Sequence, residues 1–347
     1  MQSASVVIDN YNYGRFLRRA IDSVLAQTRT AIDIVVVDDG STDDSPEIIR
    51  SYGERIRPVL KANGGHASAF NAGYALARGD VVFFLDSDDS MYPQAIETVL
   101  DAWKPGVVMV HYLMHVVDPE GKILGIHPPP PHRLAEGDVR AELLEHGGFA
   151  TTLTSGLAFS REALAQVMPI DEKIFVQAAD GYLVHSLPML GPVQAISQCL
   201  ARQCRHGSND SEFGKDFQGL LKSARRQMRY MGNEIDTVYV MAKRLGLSAA
   251  KDLANSDAAY LEYRICSLKL DPQGHPLPSD DLWHLWAGYT RARWNQHDKA
   301  LRRVAEIGLT TAASLLPRDL AASLLLWKNV PMSRPAWLRI PDILRRH

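Results

Sequence analysis

Short β-branched apolar runs alternate with amphipathic helical patterns through the first hundred residues, and that rhythm restricts the chain to a parallel sheet flanked by helices. Residues 3–8 read as a buried strand. Phe16, Leu17, Ala20, Ile21, Val24 and Leu25 then recur at helical spacing, making one apolar face after the Tyr13-Gly14 turn. Residues 32–37 form a second apolar run that stops at Asp38-Asp39-Gly40-Ser41. A helix is predicted from about Ser45, which can cap it, with Pro46 in the first helical position and Glu47 at the dipole's positive end. Residues 56–60 predict a third strand, 67–78 a helix, and 81–85 a fourth strand running directly into Asp86-Ser87-Asp88-Asp89. In open α/β sheets ligands collect outside the carboxyl ends of the strands, so both acidic clusters are expected to face one crevice.

Residues 107–117 read as a further strand, followed by a turn at Asp118-Pro119-Glu120-Gly121 and a proline-rich loop, 127–132. After about residue 213 the character changes. Residues 217–246 and 249–270, rich in Ala, Leu, Arg and Lys, read as helices; a breaker-rich linker, 271–279, leads to a last helical section carrying Trp283, Trp286 and Trp294. The expected division is an α/β domain over 1–213 and a helical region over 214–347, reasonable for a chain of 347 residues.

A formal net charge of -2 gives no global electrostatic reason to expect a nucleic-acid partner. Three cysteines, Cys199, Cys204 and Cys266, lack CxxC spacing and suggest neither a disulfide framework nor a zinc finger, which fits a reducing cytoplasm. The N-terminus lacks the basic and apolar regions of a signal peptide. The nearest approach to a membrane span, 309–327, is broken by Pro317, Arg318 and Asp319.

Asp86, Asp88 and Asp89 carry the sharpest chemical signal. Carboxylates this close repel one another, so the loop needs a cation or many hydrogen-bond donors. Mg²⁺ or Mn²⁺ bound to a substrate diphosphate would compensate; the alternative is a solvated acidic turn capping a helix at Pro93. Asp38 and Asp39 form a good Asp-Gly turn, yet carboxylates at a strand end can also accept from a nucleobase N–H and ribose hydroxyls. Tyr11 offers either a flat face for a base or a ring packed on the core. His111 and His115 are read as one partly exposed strand face, not a metal pair. Lys222, Arg225, Arg226 and Arg229 crowd one helix, by default a solvated face. The alternative, with Arg334, Arg339, Arg345 and Arg346 near Trp327 and Trp337, is contact with acceptor phosphates and peripheral attachment to the inner face of the plasma membrane.

Taken together, Ser5-Val6-Val7-Ile8, Tyr11-Asn12-Tyr13-Gly14, Ala20-Ile21-Asp22-Ser23-Val24-Leu25-Ala26-Gln27-Thr28, Val37-Asp38-Asp39-Gly40-Ser41-Thr42-Asp43, Asn63-Gly64-Gly65, Asn71-Ala72-Gly73 and Phe84-Leu85-Asp86-Ser87-Asp88-Asp89 resemble the family 2 inverting glycosyltransferases with the GT-A fold. The resemblance continues more weakly through Thr154-Ser155-Gly156-Leu157, Asp180 and the stretch from Arg202 to Asn209. It implies a mixed, mainly parallel nucleotide-sugar-binding sheet with flanking helices, and a sugar moved from a nucleotide-diphosphate donor, a UDP-sugar for preference, to a glycan or lipid-linked acceptor in surface polysaccharide synthesis. In that likeness Asp39, with Tyr11, Asp38 and Asn63, holds the nucleoside; Asp86, Ser87 and Asp88 contact ribose, sugar and metal; Asp88, Asp89 and His206 bind Mn²⁺ or Mg²⁺; and Asp180 is the general base, with a helix N-cap as its ordinary alternative.

The sequence also departs from the family pattern. Asp9-Asn10 stands where Pro-Thr or Pro-Ala is frequent, His66 and Phe70 where Gln and Arg are frequent, and Ala179 in place of Glu before Asp180. A sugar-phosphate nucleotidyltransferase would carry a Gly-rich basic loop after the first strand, where this chain has Asp9-Asn10-Tyr11-Asn12. A non-catalytic nucleotide-sugar binder is the remaining alternative.

Overall fold

The computed structural model describes residues 2–130, 133–207, 216–295 and 300–329. His132, Asn209, Arg334, Trp337, Arg339, Arg345 and Arg346, on which expectations were placed, lie outside the described residues, as does the 213/214 boundary. The chain divides into two compact units, Met1–Ser208 with Asp236–Ala249, and Asn209–Ile235 with Ala250–His347.

In the first unit β1 (Ala4–Asn10), α1 (Gly14–Leu25), β2 (Ile32–Asp38), α2 (Ser45–Ser51), β3 (Arg57–Leu60), α3 (His66–Leu76) and β4 (Val81–Asp86) follow one another in the expected alternation. β3, β2, β1 and β4 pair in parallel, in that order. The chain continues through β5 (Ser90–Met91), α4 (Ala95–Ala102), β6 (Met109–Val117), β7 (Ile123–His127), α5 (Arg140–His146), β8 (Leu157–Ser160), α6 (Arg161–Leu164), α7 (Ala179–Ser186) and β9 (Val193–Cys204). These strands extend the sheet as β4-β8-β6-β9-β5, with β7 on β6. β8 is antiparallel to β4 and β6, whereas β9 runs parallel to β6. The sheet is therefore mixed, and its parallel half is the part written in the N-terminal rhythm.

Strand periodicity of two assigns the faces. Val6, Ile8, Ile34, Val36, Phe83 and Leu85 share one core with Leu17, Ala20, Ile21 and Val24 of α1 and with Ile48 and Ile96 of α2 and α4. Each such side chain stabilises by roughly 1.5–3 kcal/mol on burial, so this face, more than intrinsic propensity, holds α1 in place. Val7, Val37 and Phe84 point the other way, toward α3. There a Cβ on Gly73 would lie 2.2 Å from Val7 Cγ1, so only glycine lets the helix approach the strand this closely. Gly73→Ala is expected to destabilise the protein by about 1–3 kcal/mol through overpacking, read as a lowered urea midpoint.

Some local expectations are corrected. Ser45 is the first residue of α2, not its cap: Asp44 precedes it, and Asp43 Oδ1 accepts from the Ser45 N–H at 3.0 Å. The acidic turn caps no helix, because β5 intervenes and Gln94 stands before α4. His111 is fully buried, its ring bonded to Ala135 O at 2.7 Å and Thr151 Oγ1 at 3.0 Å, while His115 meets Tyr92 OH at 2.8 Å; each histidine is occupied by core polar groups.

The helical part comprises α8 (Phe217–Arg244), α9 (Ala258–Leu270), α10 (Leu282–Asn295), α11 (Ala300–Leu315) and α12 (Arg318–Asn329). α9 starts later than expected, at a cap where Asp257 accepts from the Tyr260 N–H, with only a short turn, Leu253–Asn255, before it. In the second unit Leu220, Ala224, Cys266, Leu270, Ala321 and Leu325 form one core, and Leu261, Ile265, Leu285 and Tyr289 another. Lys328 is partly buried there, paired with Glu262 at 2.7 Å and bonded to Tyr289 and Thr310 hydroxyls. Arg225 is tied to Asp271 at 2.8 Å and to Ser267, so the basic stripe is not purely solvated. Among the described residues no helix is long and apolar enough to cross a membrane.

Candidate active site

The parallel strands end together, and acidic residues stand at three of those ends. Asp38 is buried, accepting from Asn10 Nδ2 at 2.9 Å and from the Ser41 N–H at 3.1 Å. These bonds close the turn and lock it to β1. Asp39, also buried, takes Lys61 Nζ at 2.5 Å and the N–H groups of Gly64 and Gly65 at 3.0 and 2.7 Å. Its carboxylate therefore folds the 61–65 loop over the strand ends and presents Asn63, which is exposed. Gly65 holds a positive φ of 87°, and a Cβ there would meet Val176 O at 2.3 Å. Tyr11 is 46% exposed, which removes the core-packing alternative for its ring.

The second acidic cluster lies beside the first. In register, Asp9 of β1 faces Asp86 of β4, so both side chains leave the sheet on the side covered by α3. Oxygens of Asp86, Asp88 and Asp89 lie within 4.8 Å of one another, and a second group, Asp9, His66 and Asp86, meets the same spacing. Burial pushes the Asp86 and Asp89 carboxyls well above the usual range, and neighbouring carboxylates push them further. Asp88 is raised by burial too, against the opposing hydrogen bond from His206. Asp9 is pushed up to about 6, chiefly by burial, with His66 opposing and the charges of Asp88 and Asp180 adding. Hard oxygen donors clustered this tightly in a desolvated turn suit a divalent cation such as Mg²⁺ or Mn²⁺, whose charge would restore the ionised forms.

Donors from distant segments hold this turn. The Cys204 N–H bonds Asp89 Oδ1 at 2.9 Å, and the Ser155 hydroxyl bonds the same carboxylate while accepting from the Asp86 N–H at 3.2 Å. Arg19 of α1 donates to Asp88 O at 2.9 Å. Ser87 is buried within the turn. His206 lies against Asp88 with Nε2 to Oδ2 at 2.8 Å, its ring stacked on Phe16 and its Nδ1 3.4 Å from Arg15. An arginine can only donate, so Nδ1 carries the lone pair and the proton sits on Nε2, directed at Asp88. His206 thus meets the carboxylate cluster through Asp88.

Asp180 lies in the first turn of α7. The residue before the helix is Ala178, so Asp180 is not its N-cap. Its Oδ2 accepts from Thr154 Oγ1 at 2.9 Å, and its charge is felt by both Asp9 and Asp86. Ala178 adopts a left-handed backbone, φ 58°, a conformation that costs alanine of order 1 kcal/mol. It turns the Ala179 N–H onto His66 Nδ1 at 3.2 Å.

The structure brings Asp86, Ser87, Asp88, Asp89, His206 and Asp180 into one acidic crevice and places Asp38, Asp39, Asn63 and Tyr11 at the adjoining strand ends. Sequence reasoning missed Asp9, Arg19, Ser155 and Cys204. Asp9 was legible only as a departure from a pattern; the others come from segments whose approach no local periodicity encodes.

The chain matches the profile of Glycosyl transferase family 2 over residues 5–167. It is similar to an uncharacterized glycosyltransferase of Nostoc sp. (strain PCC 7120), 36% identical over 268 residues, covering 75% of this chain and 80% of that one. A hyaluronan synthase of Pasteurella multocida is 36% identical over 125 residues, 35% of this chain and 13% of that protein. The fold is similar to the crystal structure of S. aureus TarS 1-349 in complex with UDP-GlcNAc, with a TM-score of 0.52 at 13% identity over 94% of this chain and 91% of that one. The chain belongs to glycosyl transferase family 2 and is a glycosyltransferase with a GT-A-like mixed α/β sheet and a helical C-terminal region. That membership sets aside the nucleotidyltransferase and the non-catalytic binder.

Proposed function

We propose that this enzyme transfers a sugar from a nucleotide-diphosphate donor to an acceptor hydroxyl with inversion, in one displacement, and that the acidic crevice is where it does so. The observation that carries the reading is the gathering of Asp9, Asp86, Asp88, Asp89 and Asp180 around the carboxyl ends of β1 and β4, with several of those carboxyls disfavoured in their ionised forms. Asp86, Asp88 and Asp89 would hold Mn²⁺ or Mg²⁺, which supplies charge stabilisation to a leaving diphosphate. Tyr11 and Asn63 are the proposed nucleoside contacts, with Asp38 and Asp39 shaping the loops that carry them. Asp180, oriented by Thr154, removes the acceptor proton as the bond to the anomeric carbon forms. The TarS ligands, UDP in one structure and UDP-GlcNAc in another, name the donor class to test first. The acceptor class proposed is a growing glycan or lipid-linked sugar, with the helical C-terminal region near the membrane surface.

A screen of UDP-, GDP- and dTDP-sugars for slow hydrolysis tests this directly. One donor is expected to be cleaved with Mn²⁺ and not with chelator; a protein that cleaves none, or cleaves equally well with chelator, refutes the metal-assisted reading.

A further inference from the structure

No step of the reaction drawn above is assigned to Asp9 or His66, yet both stand at the same carboxylate cluster. Asp9 leaves β1 beside Asp86, and His66 is the first residue of α3. The His66 ring is fixed from two sides: edge-on to Phe70, with centroids 4.3 Å apart, and by the Ala179 N–H on Nδ1. Phe70 is itself stacked on Phe84 at 4.0 Å, so the ring rests on the core. A backbone N–H can only donate, so Nδ1 is the unprotonated nitrogen and Nε2 carries the proton. Nε2 and Asp9 Oδ2 are 3.6 Å apart, within ion-pair range but beyond a hydrogen bond. His66 Nε2 and Asp9 Oδ1 are both shielded from solvent and without a hydrogen-bond partner. Such a pair costs free energy unless something supplies an acceptor to one and a donor to the other.

A hydroxyl does both at once. A metal ion does not, because a protonated Nε2 has no lone pair to give, although Asp9, His66 and Asp86 are close enough to be mistaken for a ligand set. We infer that Asp9 and His66 read one hydroxyl of the transferred sugar, Asp9 accepting and His66 donating, and so set which sugar the enzyme accepts. Asp9 stands beside Asp86 across β1 and β4, and His66 takes the N–H of Ala179, the residue before Asp180, so a sugar at this pair would have its diphosphate on one side and the base on the other. This inference rests on the proposed function. Glutamine at position 66 would keep an N–H donor of similar reach, whereas a leucine would not.

The test compares wild type, His66→Leu and His66→Gln with the nucleotide sugar cleaved fastest in the screen and with its analogues each lacking one ring hydroxyl. Affinities for the matching nucleoside diphosphate and for Mn²⁺ are measured alongside by calorimetry. His66→Leu is expected to keep both affinities within about twofold and to lose about 10- to 100-fold in kcat/KM. It should also lose the wild-type preference over one particular deoxy analogue, and His66→Gln should recover most of both. Should the leucine variant not fold, Asp9→Ala, which removes the acceptor, is measured on the same analogues with the same expected loss of preference. Unchanged discrimination against every analogue overturns the inference, as does a loss of Mn²⁺ affinity, which would make His66 a ligand. A wild type inactive on the whole screen overturns the proposed function and this inference with it; an active wild type with undiminished selectivity in the variants overturns the inference alone.

Discussion

Asp180→Asn is expected to lower kcat by about 10²–10⁴-fold while leaving nucleoside-diphosphate and Mn²⁺ affinities within about twofold. The amide keeps an acceptor for the Thr154 hydroxyl, which bonds Oδ2 at 2.9 Å, so local geometry should survive while the capacity to take a proton does not. A purely structural Asp180 predicts the reverse, a loss of stability with turnover per folded molecule unchanged. Single-turnover transfer and thermal melting on the same samples separate the two outcomes, and full activity in Asp180→Asn would remove the base from the mechanism.

The second large effect concerns stability without metal. In the folded protein the carboxyls of Asp9, Asp86, Asp88 and Asp89 titrate above their ordinary range, with Asp9 at about 6. The folded state therefore binds more protons than the unfolded chain between the usual carboxylate range and about pH 6 or higher. Their contribution to stability is fully present below the unfolded value and is lost as pH rises through the folded one. Chelated protein should accordingly melt at a higher temperature at pH 5.5 than at pH 7.5, opposite to the ordinary acid trend. Mn²⁺ at about a hundred times its Kd should add about 2.7 kcal/mol at pH 7.5 and progressively less toward pH 5, where protons compete for the same oxygens. A chelated protein whose melting temperature only rises with pH would show that these carboxylates are compensated within the chain.

The N-terminal half of the architecture is legible in sequence because its signals are local. Apolar runs of strand length alternate with a 3.6-residue stripe, and burial of one face per helix then follows from the stripe that carries Leu17, Ala20, Ile21 and Val24. The position of Asp38, Asp39 and Asp86 at strand ends is local as well, since each apolar run simply stops there. Asp180 was readable only through likeness to a family, because nothing in its flanks tells a base from a cap; the structure places Ala178 before the helix and Thr154 on the carboxylate. Ser45 misled because a cap is defined by which residue's backbone leaves the helix, and Asp43 and Asp44 competed for that place.

What the sequence determined by itself is the alternation, and with it a sheet whose acidic residues collect at one edge, because hydrophobic periodicity and chain direction suffice to set both. Tertiary structure alone decided which of those carboxylates share space and what compensates them. Cys204 and Ser155 reach Asp89 from 115 and 66 residues away in the chain, and Ala179 fixes the His66 proton from 113 away. Desolvation, proton placement and hydrogen-bond satisfaction depend on distances between segments that no local pattern specifies.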